Sequence, residues 1–275
     1  DGSIFLNQSY FNYTFGLKMI NDKKFKTLFG LSRRNSDDEI TQTHCNIALA
    51  IQKVTEEIIV KMAYEAKRLT GSENLCLAGG VALNCVANGK IEEIGLFKNI
   101  YIQPASGDAG GSLGAALAIN HMYYDNERKY SDSYDKMHGA YLGPYYSDKE
   151  IMLMNKKYKA IYHRFDSQNN LTEKVASLIS AGNVVGWFQG RSEFGPRALG
   201  ARSILGDPRN ENMQKNLNLK IKFRESFRPF APSIIKEKVS EWFELKKESP
   251  YMLIVSKILE NRKIKNKNIN NKFGI

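Results

Sequence analysis

The chain has 275 residues, 42% of them hydrophobic and 11% aromatic, and carries 40 Lys and Arg against 29 Asp and Glu for a net charge of +11. That is enough apolar material for one large or two ordinary domains with real cores. No apolar run approaches the ~18–20 residues of a membrane-spanning helix, and the opening DGSIFLNQSYF has neither the basic start nor the apolar centre of a signal peptide. The chain begins without Met and in extended-looking sequence, so it is expected to be a fragment of a longer protein.

Residues 43–69 read as a long helix, with Ile47, Ile51, Val54, Ile58, Met62 and Leu69 at helical spacing and Gly71 as its C-terminal stop. A short strand, Asn74–Ala78, leads through Gly79-Gly80 into a helical stretch over Val81–Lys90. A second strand, Asn99–Gln103, leads into PASGDAGGSLGAALAINHMYY, whose small residues from Gly110 to Ala118 predict a helix packed close to another backbone. Residues 43–122 therefore read as an α/β lobe with two glycine-rich strand-to-helix turns. The polar stretch 125–138 is the predicted linker. Beyond it, Ser147 and Glu150 form a capping box, residues 171–181 a helix, Asn183–Gln189 a strand, and Met213–Ile221 and Ile235–Phe243 two further helices.

Cys45, Cys76 and Cys85 form no CxxC pair. Cys76 and Cys85 flank a glycine turn in apolar sequence and are expected to be buried thiols, and their low, odd number favours a reducing, cytoplasmic setting. The basic charge invites a nucleic-acid reading, but its distribution weakens it. The stretch 259–275 holds five Lys/Arg against one Glu amid asparagines and reads as a mobile loop, and an arginine cluster supplies much of the rest. The histidines, 44, 121, 138 and 163, form no HxxxH or HExxH pair and read as caps or surface residues.

Three motifs carry chemistry. In GGVALN (79–84), paired glycines let a ligand approach the backbone, and a helix start offers free N–H groups to an anion or nucleotide; a plain tight turn is the alternative. In SGDAGGSLGAA (106–116), Asp108 stands at the mouth of a second such turn, able to hold a metal near phosphates or to cap its own helix. The third spans GRSEFGPRALGARSIL and KFRESFRPFAP. Arg191, Arg197, Arg202, Lys222, Arg224 and Arg228 are candidates to surround a phosphate, with Glu193 and Glu225 pairing some of these cations. Buried like charges repel, so a dianion is their natural neutraliser; a structural Arg–Glu network is the alternative.

In this order the motifs closely resemble the O-carbamoyltransferases of the NodU, cephamycin and tobramycin type. The likeness is strongest in LCLAGGVALNCVANGKI (75–91), IYIQPASGDAGGSLGAALA (100–118), VVGWFQGRSEFGPRALGARSILGDPR (184–209) and KFRESFRPFAPSI (222–234), with YFNY (10–13) and ESPYM in support. The resemblance implies an α/β fold in two domains. Residues 1–137 would be the C-terminal lobe of a Kae1-like domain of the actin/hexokinase/Hsp70 ATPase class, binding ATP and a divalent metal (iron(II), or else magnesium). Residues 138–275 would be a YrdC-like domain, incomplete, that takes carbamoyl phosphate.

The resemblance also implies the reaction, in which carbamoyl phosphate loses phosphate, carbamate and ATP give carbamoyl adenylate, and the carbamoyl group passes to a small-molecule hydroxyl. Gly79, Gly80 and Asn84, with Gly107, Gly110 and Gly111, would contact the nucleotide. Asp108 would be a metal ligand, and the arginine cluster with Glu193 would serve carbamoyl phosphate. No nucleic-acid or membrane partner is expected, and a homodimer is entertained. The family's two metal-binding histidines have no counterpart here, so the chain alone is expected to bind ATP weakly or not at all and to turn over nothing. Competing readings are a tRNA threonylcarbamoyl-adenosine-type modification protein and a sugar kinase of the same ATPase class.

Overall fold

The computed structural model describes residues 2–35, 38–129, 135–245 and 247–263. The fold is mixed α/β, and it divides into two compact units. Of the described residues, one unit takes those within 2–74 and 90–99, and the other those within 75–89 and 100–263. The division runs through three elements, β1 (Asn74–Leu77), α3 (Cys85–Ile94) and β2 (Asn99–Ile102).

The first unit is organised by α1 (Asp22–Phe29) and the 29-residue α2 (Gln42–Thr70). Helix α2 starts where the Thr41 side chain and the ring of His44 bond reciprocally to each other's backbone N–H, so His44 is a cap inside the first turn. It stops at Gly71, whose left-handed backbone (φ 64°) suits glycine. Glu56, buried on α2, is held by Lys90 and by Gln52 (2.8 Å), and these hydrogen bonds lower its pKa despite burial. Phe25 collects Tyr10, Phe11 and Phe29 around itself at ring separations of 5.7–5.9 Å.

The second unit holds α4 (Asp108–Ala118), α5 (Asp148–Tyr158), α6 (Gln168–Ser180), the antiparallel pair β3 (Val185–Phe188) and β4 (Arg202–Leu205), and α7 (Met213–Asn216), which a π turn extends over Leu217–Ile221. Its core gathers Ala82, Ile102, Met137, Ala140, Tyr251 and Leu253, with Leu83, Phe194 and Leu199 packed against them. Asn88, 1% exposed, ties this core together by donating from Nδ2 to the carbonyls of Ala82 and Leu253. The capping box at Ser147 and Glu150 forms as read.

Several details differ from the sequence expectations. The helical stretch predicted over Val81–Lys90 breaks at Asn84, separating a 3₁₀ turn, Gly80–Leu83, from α3. The segment predicted as Ile235–Phe243 is a 3₁₀ helix over Lys236–Glu241. The end of the predicted linker belongs to the core, because Met137 is buried there; residues 130–134 lie outside the described set. Most of the stretch 259–275 lies outside it too. Cys76 is exposed, and Cys45 and Cys85 are half-buried. Apolar neighbours in sequence misled here: alternate residues of β1 face outward, and Cys76 is one that does. The close approach expected along α4 occurs at Gly110, where a Cβ would fall 2.2 Å from the Ala105 carbonyl oxygen, whereas Gly111 and Gly114 border open space.

Candidate functional site

The first glycine turn leaves β1 at Gly79, whose φ of 99° is a conformation that side chains rarely adopt. Its N–H donates to the Ser106 carbonyl at 2.9 Å, which joins it to the second glycine turn. Leu83, at the end of the 3₁₀ turn, lies 3.7 Å from the Cβ position of Gly107. Gly80 has nothing within 4 Å of that position, leaving the backbone open on that side. Asn84 receives the chain as it enters α3, and its Oδ1 accepts from the Ala87 N–H.

The second turn enters α4 through Gly107 as N-cap, so Asp108 does not cap the helix but stands exposed at its first position, where a carboxylate suits the helix dipole. Among the described residues no group of three His, Cys, Asp or Glu could hold a metal. A divalent ion needs several ligands at once. Asp108 offers one, so the donor set by itself does not fit the ion that the resemblance implies.

The third motif is the connection 189–201 between β3 and β4, a long hairpin loop of the kind usually kept for function. Glu193 organises it. Its Oε1 accepts from the backbone N–H of Leu199, Ala201 and Arg202 at 2.7, 2.9 and 3.3 Å. Burial pushes this carboxyl's pKa up, and the backbone donors outweigh that and hold it below the ordinary value. The expected pairing of Glu193 with arginine is replaced by this backbone clamp, because the loop's own amides close around the carboxylate. Tyr141 adds a second fastening, donating to the Leu199 carbonyl at 2.6 Å; burial and then the Glu193 charge raise its phenol.

The arginines divide. Arg202 lies flat over the Phe188 ring, 3.4 Å from its centroid, and donates to the carbonyls of Gln189, Gly190 and Ala201. Arg197 donates from Nη2 to the Leu83 carbonyl at 2.9 Å, joining the third motif to the first. Arg191, exposed, donates to the Gly143 carbonyl. Arg209 is committed to Asp207 through Nε and Nη2, which holds the Asp207 carboxyl down at about 2.

The remaining cations sit in a separate loop, 222–228, anchored from below by the α7 segment. Asn218 (0% exposed) donates to the carbonyls of Ser226 and Arg228 and accepts from Arg224 Nε at 2.7 Å. Arg224 also faces the Phe230 ring, Arg228 pairs with Glu225 at 2.7 Å as expected, and Lys222 is exposed. Sequence reading passed over Asn218, whose type and spacing carry no signal of ligand chemistry. It also passed over Tyr141, visible only as one more aromatic in YLGPYY.

The structure thus interlocks the two glycine turns with the loop bearing Glu193, Arg197 and Arg202. No described hydrogen bond or ion pair joins that loop to 222–228. Two surface grooves, one of 640 Å³ beside Lys149, Met152 and Tyr162 and one of 560 Å³ beside Leu17 and Arg33, border none of these motifs. Both are open surface features away from the motifs.

The comparisons with known proteins give the class to which this arrangement belongs. Residues 1–117 match the carbamoyltransferase N-terminus and residues 176–271 the carbamoyltransferase C-terminus. The chain belongs to the carbamoyltransferase family. It is 54% identical over 266 residues to an uncharacterised protein, sll1178, of Synechocystis sp., covering 96% of this chain and 43% of that one. It is 38% identical over 223 residues to nodulation protein NolO of Bradyrhizobium diazoefficiens (80% and 40%). Over a further 223-residue match it is 30% identical to the 3'-hydroxymethylcephem-O-carbamoyltransferase of Streptomyces clavuligerus (80% and 39%). The chain therefore spans about two fifths of the length of these relatives. No helix among the described residues is long and apolar enough to cross a membrane.

Proposed function

We propose that the protein containing this chain transfers a carbamoyl group from carbamoyl phosphate to a small-molecule hydroxyl at the expense of ATP. The observation that carries the reading is the interlock of turns 79–84 and 106–111 with the hairpin loop 189–201. The N-terminal part would be the Kae1-like lobe and the part from residue 138 the YrdC-like one.

A carbamoyl group is a poor electrophile because its nitrogen donates into the carbonyl. Activation solves this. Carbamoyl phosphate is cleaved by water to phosphate and carbamate, and a carbamate oxygen attacks the α-phosphorus of ATP as the bond to pyrophosphate breaks. The acceptor oxygen then attacks the carbamoyl carbon of the adenylate, AMP leaves, and the hydroxyl proton passes to solvent or a base.

The chain's residues would bind and orient in this scheme. The backbone at Gly79 and Gly80, and the helix start at Gly107, Gly110 and Gly111, would contact phosphate or ribose, with Asn84 at the rim. Arg191, Lys222, Arg224 and Arg228 supply cationic donors to carbamoyl phosphate, since each keeps donors that no described contact uses. Arg202 and Glu193, committed to backbone, shape the loop. Asp108 would contribute one ligand to a metal whose other ligands lie outside the residues described.

The test is mass spectrometry of acceptor mixtures incubated with the full-length protein, ATP and carbamoyl phosphate. A carbamoyl mass gain that depends on both co-substrates is expected; a phosphoryl gain without carbamoyl phosphate would replace the reading with a kinase. The isolated chain, which spans about two fifths of its relatives, is expected to give no product.

A further inference from the structure

The β3–β4 loop is braced by a segment, residues 137–144, that the functional reading leaves unused. Three successive residues of that segment are left-handed: His138, Gly139 and Ala140, with φ of 47°, 69° and 65°. Residues that carry a side chain rarely adopt this backbone, and it persists only where the surroundings fix it. Here the surroundings do. Ala140 is 1% exposed and belongs to the core beside Met137.

The segment meets the loop at three places. The Ala140 carbonyl accepts from Phe194 N–H at 2.6 Å and from Leu142 N–H at 2.8 Å. Gly143 N–H donates to the Ser192 carbonyl at 2.9 Å, Ser192 N–H donates to the Pro144 carbonyl at 3.0 Å, and Arg191 Nη1 donates to the Gly143 carbonyl. The Tyr141 hydroxyl makes the third contact, donating to the Leu199 carbonyl at 2.6 Å. Leu199 is thereby gripped twice, since its own N–H donates to Glu193 Oε1 at 2.7 Å. Ala140 and Gly143 thus hold the outgoing arm of the loop and Tyr141 holds the returning arm, with Arg197 between them. Gly139 keeps the ring in place: a Cβ there would fall 2.8 Å from a Tyr141 ring carbon, so any side chain must push the ring aside. Burial, and then the Glu193 charge, raise the phenol's pKa, which keeps the hydroxyl protonated and donating.

We propose that Tyr141 is a positioning residue for carbamoyl phosphate, fixing the returning arm of the β3–β4 loop so that its cations are in place before the ligand arrives. The inference rests on the functional reading above, which supplies the ligand. Cations that converge on a dianion repel one another in its absence, and an unanchored loop relieves that repulsion by spreading. Anchoring both arms beforehand removes this freedom, so less ordering accompanies binding.

The test is calorimetric titration of the full-length protein with phosphonoacetamide, a carbamoyl phosphate mimic with a methylene in place of the bridging oxygen, and separately with α,β-methylene-ATP. Tyr141→Phe removes the hydroxyl alone. It should weaken phosphonoacetamide binding by about 3- to 30-fold, the scale of one hydrogen bond, and leave nucleotide affinity within about 2-fold. Gly139→Ala should weaken phosphonoacetamide at least as much, because it displaces the same ring. Adding Tyr141→Phe to Gly139→Ala should then weaken it by no more than about a further 2-fold, since both act through one contact.

A smaller loss in Tyr141→Phe overturns the proposal, and a larger one makes the hydroxyl a direct ligand and overturns it too. Equal losses for both probes would mark a general loosening of the fold and also overturn it, as would a double variant whose losses multiply. A wild type that binds no phosphonoacetamide sinks the functional reading, whereas one that binds it as tightly as Tyr141→Phe does sinks the positioning role alone. If Tyr141→Phe does not fold, hydrogen exchange of the wild type decides. The amides of Phe194 and Leu199 should be protected before phosphonoacetamide is added, and a loop that exchanges freely until it arrives overturns the proposal.

Discussion

The hairpin loop 189–201, with Arg202 at its exit, and the loop 222–228 both present arginines beside glutamate and phenylalanine, yet they are built in opposite ways. In the first, cations and carboxylate are turned onto backbone: Arg202 and Arg197 meet carbonyls, and Glu193 meets three amides. In the second, backbone is held by two carboxamides, the buried Asn218 and the exposed Gln214, and the cations are left largely outward. The lesson is that arginine density does not by itself mark ligand contacts. A guanidinium whose donors end on carbonyls is a strut; one with open Nη groups is available to an anion.

The largest effect that would break this contrast is expected at Glu193. Glu193→Ala leaves three backbone N–H groups without their acceptor, and the loss should be about 2–4 kcal/mol by denaturant unfolding, since each unsatisfied buried donor costs about 1–3 kcal/mol and the loop can relax to water. Glu193→Gln keeps an oxygen but not the charge and should lose about half as much. A change under about 0.5 kcal/mol for Glu193→Ala would mean that the loop does not depend on the clamp.

Asn218→Ala is expected next, at about 2 kcal/mol. It should leave the hairpin loop unchanged while raising hydrogen exchange across 222–228. Arg202→Lys should follow at about 1 kcal/mol, through loss of the Phe188 stack and the forked donors. If Asn218→Ala loosened both loops equally, the two regions would be one structure and the contrast would fail.

Acid titration sharpens the same point at Asp207. Arg209 holds its carboxyl at about 2, against an unfolded value near 3.8. A depressed pKa contributes stability that is present above the unfolded value and lost as pH falls through the folded one. Stability should therefore decline between about pH 4 and pH 2, and Asp207→Asn should flatten part of that slope. Glu193, also depressed, adds to the decline in the same direction.

Much of this was legible in the sequence. Helix α2, its Gly71 stop and the capping box at Ser147 follow from local periodicity and cap chemistry, which act within a few residues. The two glycine turns were legible for the same reason. The division of labour among the arginines was not, because it depends on carbonyls brought from elsewhere: Leu83 for Arg197, Gly143 for Arg191. Nor was the Glu193 clamp, since composition pairs a glutamate with nearby arginines, and only the closed hairpin presents the amides of 199–202 instead. The exposure of Cys76 escaped for a related reason: sequence neighbours set hydrophobicity, but the pleat decides which side is covered.

The smallest predicted effect separates scaffold from ligand contact within one dipeptide. Gly79 has a backbone conformation that strains any side chain, so Gly79→Ala should cost about 1–2 kcal/mol whether or not a ligand binds. Gly80 has an ordinary φ and open space around its Cβ position, so Gly80→Ala should leave stability within about 0.5 kcal/mol. Its openness has no packing explanation, and the functional reading supplies one: a nucleotide approaches there. Gly80→Ala should therefore weaken nucleotide binding by the full-length protein at unchanged melting temperature. Unaltered affinity would remove Gly80 from the site and leave the turn as a structural bend.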